Sequence, residues 1–210
     1  MELQHVNVKL LIKSQEEVSL EPLIPVFHSW IQGQVLEELL LDVADYRHVP
    51  AGPGVVLIGH QANYSVDDTD DRLGVRYNRK AEVEGGNQKA LRQAMRASLI
   101  ACQRLEAEPR LERRLQFNGQ EIEFFVNDRL LAPNRDSTRE ALHSDFETFF
   151  KKLFRGSEYA LTYPSASEHT AMSAASFLSG STLMSAHIRR SLRPGLLAAS
   201  DSISAERSTP

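Results

Sequence analysis

The side chains able to do chemistry gather between Leu39 and Lys80, in LLLDVADYRHVPAGPGVVLIGHQANYSVDDTDDRLGVRYNRK. This stretch carries His48, His60, Tyr46, Tyr64, Tyr77, several aspartates and a run of basic residues, and it reads as three consecutive strands. Ionisable groups set among strong β-formers are costly unless they are paired or used. In Val55 to Val66 the even positions Val56, Ile58, His60, Ala62, Tyr64 and Val66 fall on one face of a strand. His60 then sits on an apolar face, four residues before Tyr64. Such a histidine is either a ligand or general base in a pocket, or a core histidine hydrogen-bonded to a carbonyl or a phenol. The core reading is the commoner one. The catalytic candidates are therefore His60, His48, Asp42 and Tyr64.

Asp42, Tyr46 and His48 share a strand face, while Asp45 points away. Pairing across the turn at 50–54 is expected to bring His48 towards His60. Two histidines and Asp42 would make a three-ligand metal site with one open position. The spacing matches no established zinc motif, so a divalent metal is the lesser expectation and no cofactor is predicted. Arg76, Arg79 and Lys80 form a local basic patch able to hold a carboxylate or phosphate. The competing reading is that Arg72 and this patch neutralise Asp67, Asp68, Asp70 and Asp71 on a solvated surface.

Other motifs are weaker. The AGPG at 51–54 lacks the following helix and the Lys-Ser/Thr of a phosphate loop. Gly85 and Gly86 precede a long helix, where free amides attract anions, though plain loops of this kind are commoner. No G-x-S-x-G elbow is present. Cys102 lies on an apolar helical stripe and reads as a buried, inert thiol. Trp30 reads as a core or interface aromatic.

The elements that must position these residues follow from periodicity. Val6 to Ile12 is a first strand, and Leu20 to Gln32 a helix with Pro22 and Pro25 near its start. Leu39 to His48, Val55 to Val66 and Leu73 to Lys80 make a meander. Asn87 opens a long helix with Leu91, Met95, Leu99, Cys102 and Leu105 on one stripe. Arg114 to Phe117, Asn118-Gly119 and Gln120 to Asn127 read as a hairpin with a type I′ turn. Ser137 and Glu140 suggest a capping box for a helix that buries Leu142, Phe146, Phe149, Phe150 and Leu153 and stops at Gly156. Tyr159, Leu161 and Tyr163 mark a last strand. The order β-α-β-β-β-α-β-β-α-β predicts an α+β fold, a mostly antiparallel sheet with helices on one face.

This makes residues 1–164 a single domain. Residues 165–210 are Ser-rich and are expected to be a mostly disordered tail, in which Met184, Ile188 and Leu192 could form an amphipathic turn or two. With 41% hydrophobic and 25% charged residues the composition is that of a globular protein. A net charge of −4 argues against a nucleic-acid binder. The single cysteine excludes an intrachain disulfide, which makes a reducing cytoplasm the default. No run of about 18 apolar residues exists to span a membrane, and no signal peptide is evident.

The segments FHSWIQ (27–32), LLLDVADYRHV (39–49), GPGVVLIGHQANYS (52–65), GVRYNRK (74–80) and NDRLLAPN (127–134) resemble a family of bacterial proteins of unknown function. The resemblance covers about the first 160 residues and leaves out the tail. It implies a self-contained cytoplasmic domain and carries no activity, cofactor or catalytic residue.

Three functions compete on these grounds. The first is a non-enzymatic binding or assembly module that presents its sheet or tail to a protein partner or to itself. The second is a small enzyme or metal-dependent protein built on His48, His60 and Asp42. The third is an anionic-ligand binder using Arg76, Arg79 and Lys80. Convergence of the ionisable side chains in one cleft would favour the second, and their dispersal the first.

Overall fold

The computed structural model describes residues 1–13, 18–127, 132–155, 157–163 and 184–190. Its strands are β1 (Val6–Ile12), β2 (Leu40–Tyr46), β3 (Gly54–Gly59), β4 (Ala62–Asp67), β5 (Gly74–Arg79), β6 (Phe117–Val126), β7 (Tyr159–Thr162) and β8 (Met184–Arg190). Its helices are α1 (Leu23–Gly33), α2 (Asn87–Ala107) and α3 (Asp136–Leu153). The strands form one sheet in the order β2-β3-β4-β5-β1-β6-β8-β7, and every adjacent pair is antiparallel. The expected α+β class is the observed one.

Register explains how the sheet acquires two unlike faces. Val43, Leu57, Tyr64, Tyr77, Val8, Phe124 and Ala186 stand opposite one another in turn across seven strands. Val55, Val66, Val75, Leu10, Ile122 and Ile188 form the next such row. Opposed residues of antiparallel strands share a face, so both rows lie on one side. That side is the core. Phe27 and Trp30 of α1, Leu91, Met95, Leu99, Cys102 and Leu105 of α2, and Phe146, Phe149 and Phe150 of α3 are buried with these rows in one cluster. Phe124 is the hub for α3, meeting Phe146, Phe149 and Phe150 at 5.3 to 6.0 Å in edge-on geometry. Burying a Leu or Phe side chain contributes about 1.5–3 kcal/mol, so a stripe of this length fixes the helices to the sheet.

Four sequence expectations give way. Val55 to Val66 is not one strand but the hairpin β3–β4, with His60 and Gln61 at its turn. Gly59 permits the reversal, since a Cβ there would lie 2.6 Å from a Glu38 oxygen and 2.7 Å from the Ala62 carbonyl. The turn shifts the alternation by one, so the residues facing the helices are odd-numbered on β3 and even-numbered on β4. Asn118-Gly119 does not close a hairpin either. It lies inside β6, where Asn118 to Glu121 stand against Leu11 alone, between the pairs Leu10–Ile122 and Ile12–Phe117. The Asn118 carboxamide accepts the backbone N–H groups of Gln120 and Glu121, and Gly119 takes φ +59°. A bulge thus uses the conformation that a hairpin turn would have used.

α3 begins at Asp136 with an extended Arg135 before it and no side-chain cap, so the Ser137–Glu140 capping box does not form. Met184–Arg190 is a strand between β6 and β7 rather than a helical turn, with Ala186 and Ile188 buried. Met184 and Ile188 are four apart, a spacing that suits a helical face and also a strand face of period two. The remainder of the expected tail, and the stop at Gly156, lie outside the described residues.

Candidate functional site: a sealed charged face and an open edge

The sheet face away from the helices is built from the alternate residues of the same strands. One row runs Ile58, Asn63, Asn78, Asn7, Phe125, and the next runs Val56, Ser65, Arg76, Lys9, Glu123. A polar face would be ordinary if it were wet, but Asn7, Lys9, Ser65, Asp67 and Glu123 are all buried. Lys9 and Asp67 are each 1% exposed. The Lys9 ammonium donates to Asp67 Oδ1 at 2.5 Å and to the Thr69 carbonyl at 3.1 Å. The same carboxylate oxygen accepts the Thr69 N–H at 3.3 Å, and Arg76 approaches the other oxygen at 3.8 Å. The Arg76 guanidinium also lies 4.8 Å over the Phe125 ring. Arg72 bridges Glu121 and Glu123, 2.5 Å from each.

Three cations thus face three carboxylates. Removing charge from water costs several kcal/mol per ion unless pairing and hydrogen bonds replace hydration, and this arrangement supplies both. The Lys9 nitrogen is committed to its two acceptors, and Arg72 uses both terminal nitrogens on carboxylates. The observed contacts neutralise charge within the cluster. On this face two atoms stand outside the pairing: Asn7 Nδ2 and Asn63 Oδ1 are buried without a hydrogen-bond partner among the described residues.

The sequence candidates are dispersed instead of gathered. His60 is exposed in the β3–β4 turn, where its N–H donates to the Leu39 carbonyl. The expected buried ring does not exist, because the hairpin puts residue 60 at its tip. His48 is exposed in the turn after β2, at the opposite end of β3, and stacks on Tyr46. A six-residue strand at roughly 3.3 Å per residue separates the two histidines by about 20 Å. Asp42 stands opposite Ile58, and its carboxylate accepts the N–H of Val43. The metal triad therefore does not assemble, and among the described residues no three His, Cys, Asp or Glu side chains are placed to hold an ion.

Tyr64 lies on the helix side, edge-on to Tyr77 at 5.1 Å. Burial, with the Glu38 carboxylate as the next cause, drives its phenol far above the usual range, so it remains a neutral hydroxyl. Of the basic patch, Arg79 is held by the carbonyls of Ala81 and Glu82 and by Gln61. Lys80 donates to the Gly59 carbonyl. Only Arg76 approaches Asp67, and Arg72 turns to glutamates of β6 rather than to the acidic turn. Trp30 and Cys102 are buried in the core as expected, and burial pushes the Cys102 thiol up.

The second unusual region is the margin of the sheet. β2 forms one edge of the sheet and β7 the other. Among the described residues the exposed large apolar side chains are Met1, Leu39 at 55%, Leu41 at 51% and Tyr46 at 41%. All but Met1 belong to one short stretch on or beside β2. The strand is irregular between Leu40 and Asp42, and Asp45 is clamped by Arg47 through two hydrogen bonds of 2.9 and 2.8 Å. Those bonds, together with the Arg47 N–H, hold the Asp45 carboxyl down at about 2.

Residues missed by sequence reasoning are Lys9, Asp67 and Glu123 on the charged face and Leu39 and Leu41 on the edge. A signal for the first existed: VNVKLLI places Asn7 and Lys9 at alternate positions of an otherwise apolar strand. No protein-family model matches the chain, and no curated protein matches it. Among the described residues no helix is long and apolar enough to cross a membrane.

Proposed function

We propose that this chain is a non-enzymatic binding or assembly module of the bacterial cytoplasm that receives a protein partner along β2. The observation that carries the reading is the concentration of exposed Leu39, Leu41 and Tyr46 on or beside β2, one of the sheet's two edge strands. Exposed apolar clusters on a soluble surface mark contact sites, and an edge strand offers backbone groups to a further strand. The dispersal of His48, His60 and Asp42 takes away the geometry on which an enzyme reading depended. The anion-binding reading loses force because Arg79 and Lys80 are engaged by backbone carbonyls.

The test is site-specific photo-crosslinking in the host cell, with a benzophenone side chain placed at Leu41 or at Tyr46 and, as control, at exposed Glu140 on α3. A protein adduct formed from the β2 positions and not from the control is the expected result. Equal crosslinking from all three positions, or none from β2, rules the reading out.

A further inference from the structure

An antiparallel pair of identical strands has a two-fold axis normal to the sheet, and opposed residues share a face. Asp42, Ala44 and Tyr46 lie on the face away from the helices, since Asp42 and Ala44 are opposed by Ile58 and Val56. Val43 and Asp45 lie on the helix side, opposed by Leu57 and Val55. These constraints leave few ways for β2 to meet itself. An axis at Asp42 or at Asp45 sets a carboxylate against its own copy, which is unfavourable. An axis at Val43 sets Asp45 against Leu41. It also sets Asp42 against Ala44, whereas an axis at Ala44 opposes no carboxylate to its own copy and leaves one carboxylate, Asp45, against an apolar side chain instead of two. The Ala44 axis places the two small Ala44 side chains together, Tyr46 of each copy opposite Asp42 of the other, and Val43 opposite Asp45. It also lays the aliphatic stem of Arg47 along Leu41, while its guanidinium stays on Asp45 of the same strand. The phenol–carboxylate pair of Tyr46 and Asp42 and the Arg47–Leu41 contact then occur twice, while each Asp45 facing Val43 keeps its own Arg47 as partner.

We infer that the partner received by β2 is a second copy of this chain, paired antiparallel with Ala44 at the two-fold axis; this rests on the reading of β2 as the docking edge. The two copies would join their sheets into one continuous sheet. Two features moderate the association. The irregularity at Leu40–Asp42 interrupts the pairing, and the Asp42 carboxylate now caps the Val43 N–H and must swing towards Tyr46. Both are devices by which edge strands limit open-ended aggregation, and here they limit it to one registered pair.

The experiment uses the full chain in sedimentation equilibrium over a broad concentration range, together with cysteine variants under mild oxidation. Cys102 is fully buried and gives no background linkage. At the axis the two Cα atoms lie about 4.5–5.5 Å apart, within disulfide reach. Residue 42 lies about 13 Å from its own copy, beyond that reach. The expected result is a monomer–dimer equilibrium, a disulfide-linked dimer from Ala44→Cys and none from Asp42→Cys, and loss of the dimer in Leu41→Lys with the unfolding midpoint unchanged. A dimer that survives Leu41→Lys, or that links through Asp42→Cys and not through Ala44→Cys, overturns the pairing. A chain that stays monomeric throughout, with no Ala44→Cys linkage, overturns the second-copy inference. In that case crosslinks from Leu41 and Tyr46 to a different protein would preserve the docking edge, and their absence would remove it as well.

Discussion

The charged face and the β2 edge invert the usual arrangement, in which charge is left in water and apolar side chains are buried. On the central strands Lys9, Asp67 and Glu123 are sealed from water, while at the margin Leu39, Leu41 and Tyr46 are left in it. Both placements cost free energy, and they differ in how the cost is met. The charged face meets it internally, cation against carboxylate, so its groups are already paired in the isolated chain. The edge has no such compensation among the described residues, so its cost is recovered only when something covers it. A region that has satisfied itself is a structural element, and one that has not is where the proposed partner would act.

The largest effect should come from breaking the self-satisfaction of the charged face. Asp67→Ala leaves the Lys9 ammonium buried against the Thr69 carbonyl alone. Unpairing one member of a buried ion pair costs about 3–5 kcal/mol. Lys9→Met with Asp67→Leu removes both charges and should recover most of that loss, because no uncompensated ion remains. Urea unfolding of Lys9→Met, Asp67→Leu and the double variant gives the coupling directly. If Asp67→Ala unfolds at the wild-type midpoint, the pair is solvated and the contrast between the regions collapses.

Much of this contrast was hidden in the chain for a definable reason. Helical stripes were legible: α2 starts at Asn87 as its periodicity requires, and all residues of the expected stripe are buried, with Ala90, Ala94, Ser98 and Ala101 buried beside them. β1 likewise occupies Val6–Ile12. Errors entered where a short turn reset the alternation. Reading through the Gly59–Ala62 reversal put His60 on a core face and made it the leading site residue. The same local reasoning passed over Lys9, since its partner Asp67 is 58 positions away and only the β1–β5–β4 pairing brings the two together. Burial of a charge is a property of the assembled sheet. Exposure of Leu41 is as well, for nothing in LLLDVADY tells an edge strand from a central one.

A second, smaller effect sharpens the distinction between the sealed interior and the open margin. Burial raises the phenol pKa of both Tyr64 and Tyr77, in Tyr64 with Glu38 adding to it. In the unfolded chain both lose their protons near the ordinary value of about 10. Above that pH the unfolded state has lost protons that the folded state keeps, so stability present below pH about 10 is lost as the pH rises. Absorbance of tyrosinate at 295 nm should therefore show these two phenols ionising together with unfolding. Their ionisation in a still-folded protein, judged by far-UV circular dichroism, would place them in contact with water.

Cys102 offers a kinetic version of the same measurement. Its thiol is wholly buried on α2 and held protonated by burial and by the nearby Glu106 carboxylate. Thiolate is the reactive form, so labelling should be limited by opening of the helix from the sheet. Asp67→Ala should accelerate labelling in proportion to the stability it removes, and Leu41→Lys should leave the rate unchanged. Acceleration by the edge variant would mean that β2 contributes to the core.

The smallest effect should be at the residue that the sequence made most prominent. His60 is exposed at the tip of β3–β4, and its backbone N–H donates to the Leu39 carbonyl. That bond survives any side-chain replacement that keeps the turn. His60→Gln should then change unfolding free energy by less than about 0.5 kcal/mol, the range of surface substitutions away from caps, cores and buried networks. Had the ring been a core group, its loss would have cost on the order of 1–3 kcal/mol for the partner left unsatisfied. The two values are far enough apart for a single denaturation experiment to separate them. His48→Ala adds a directional check, because His48 stacks on Tyr46 at 6.4 Å and so borders the edge. It should leave stability as unaffected as His60→Gln does, yet weaken association through β2, whereas His60→Gln should not. Equal loss of association in both variants would move the interface from the β2 strand to the hairpin tip.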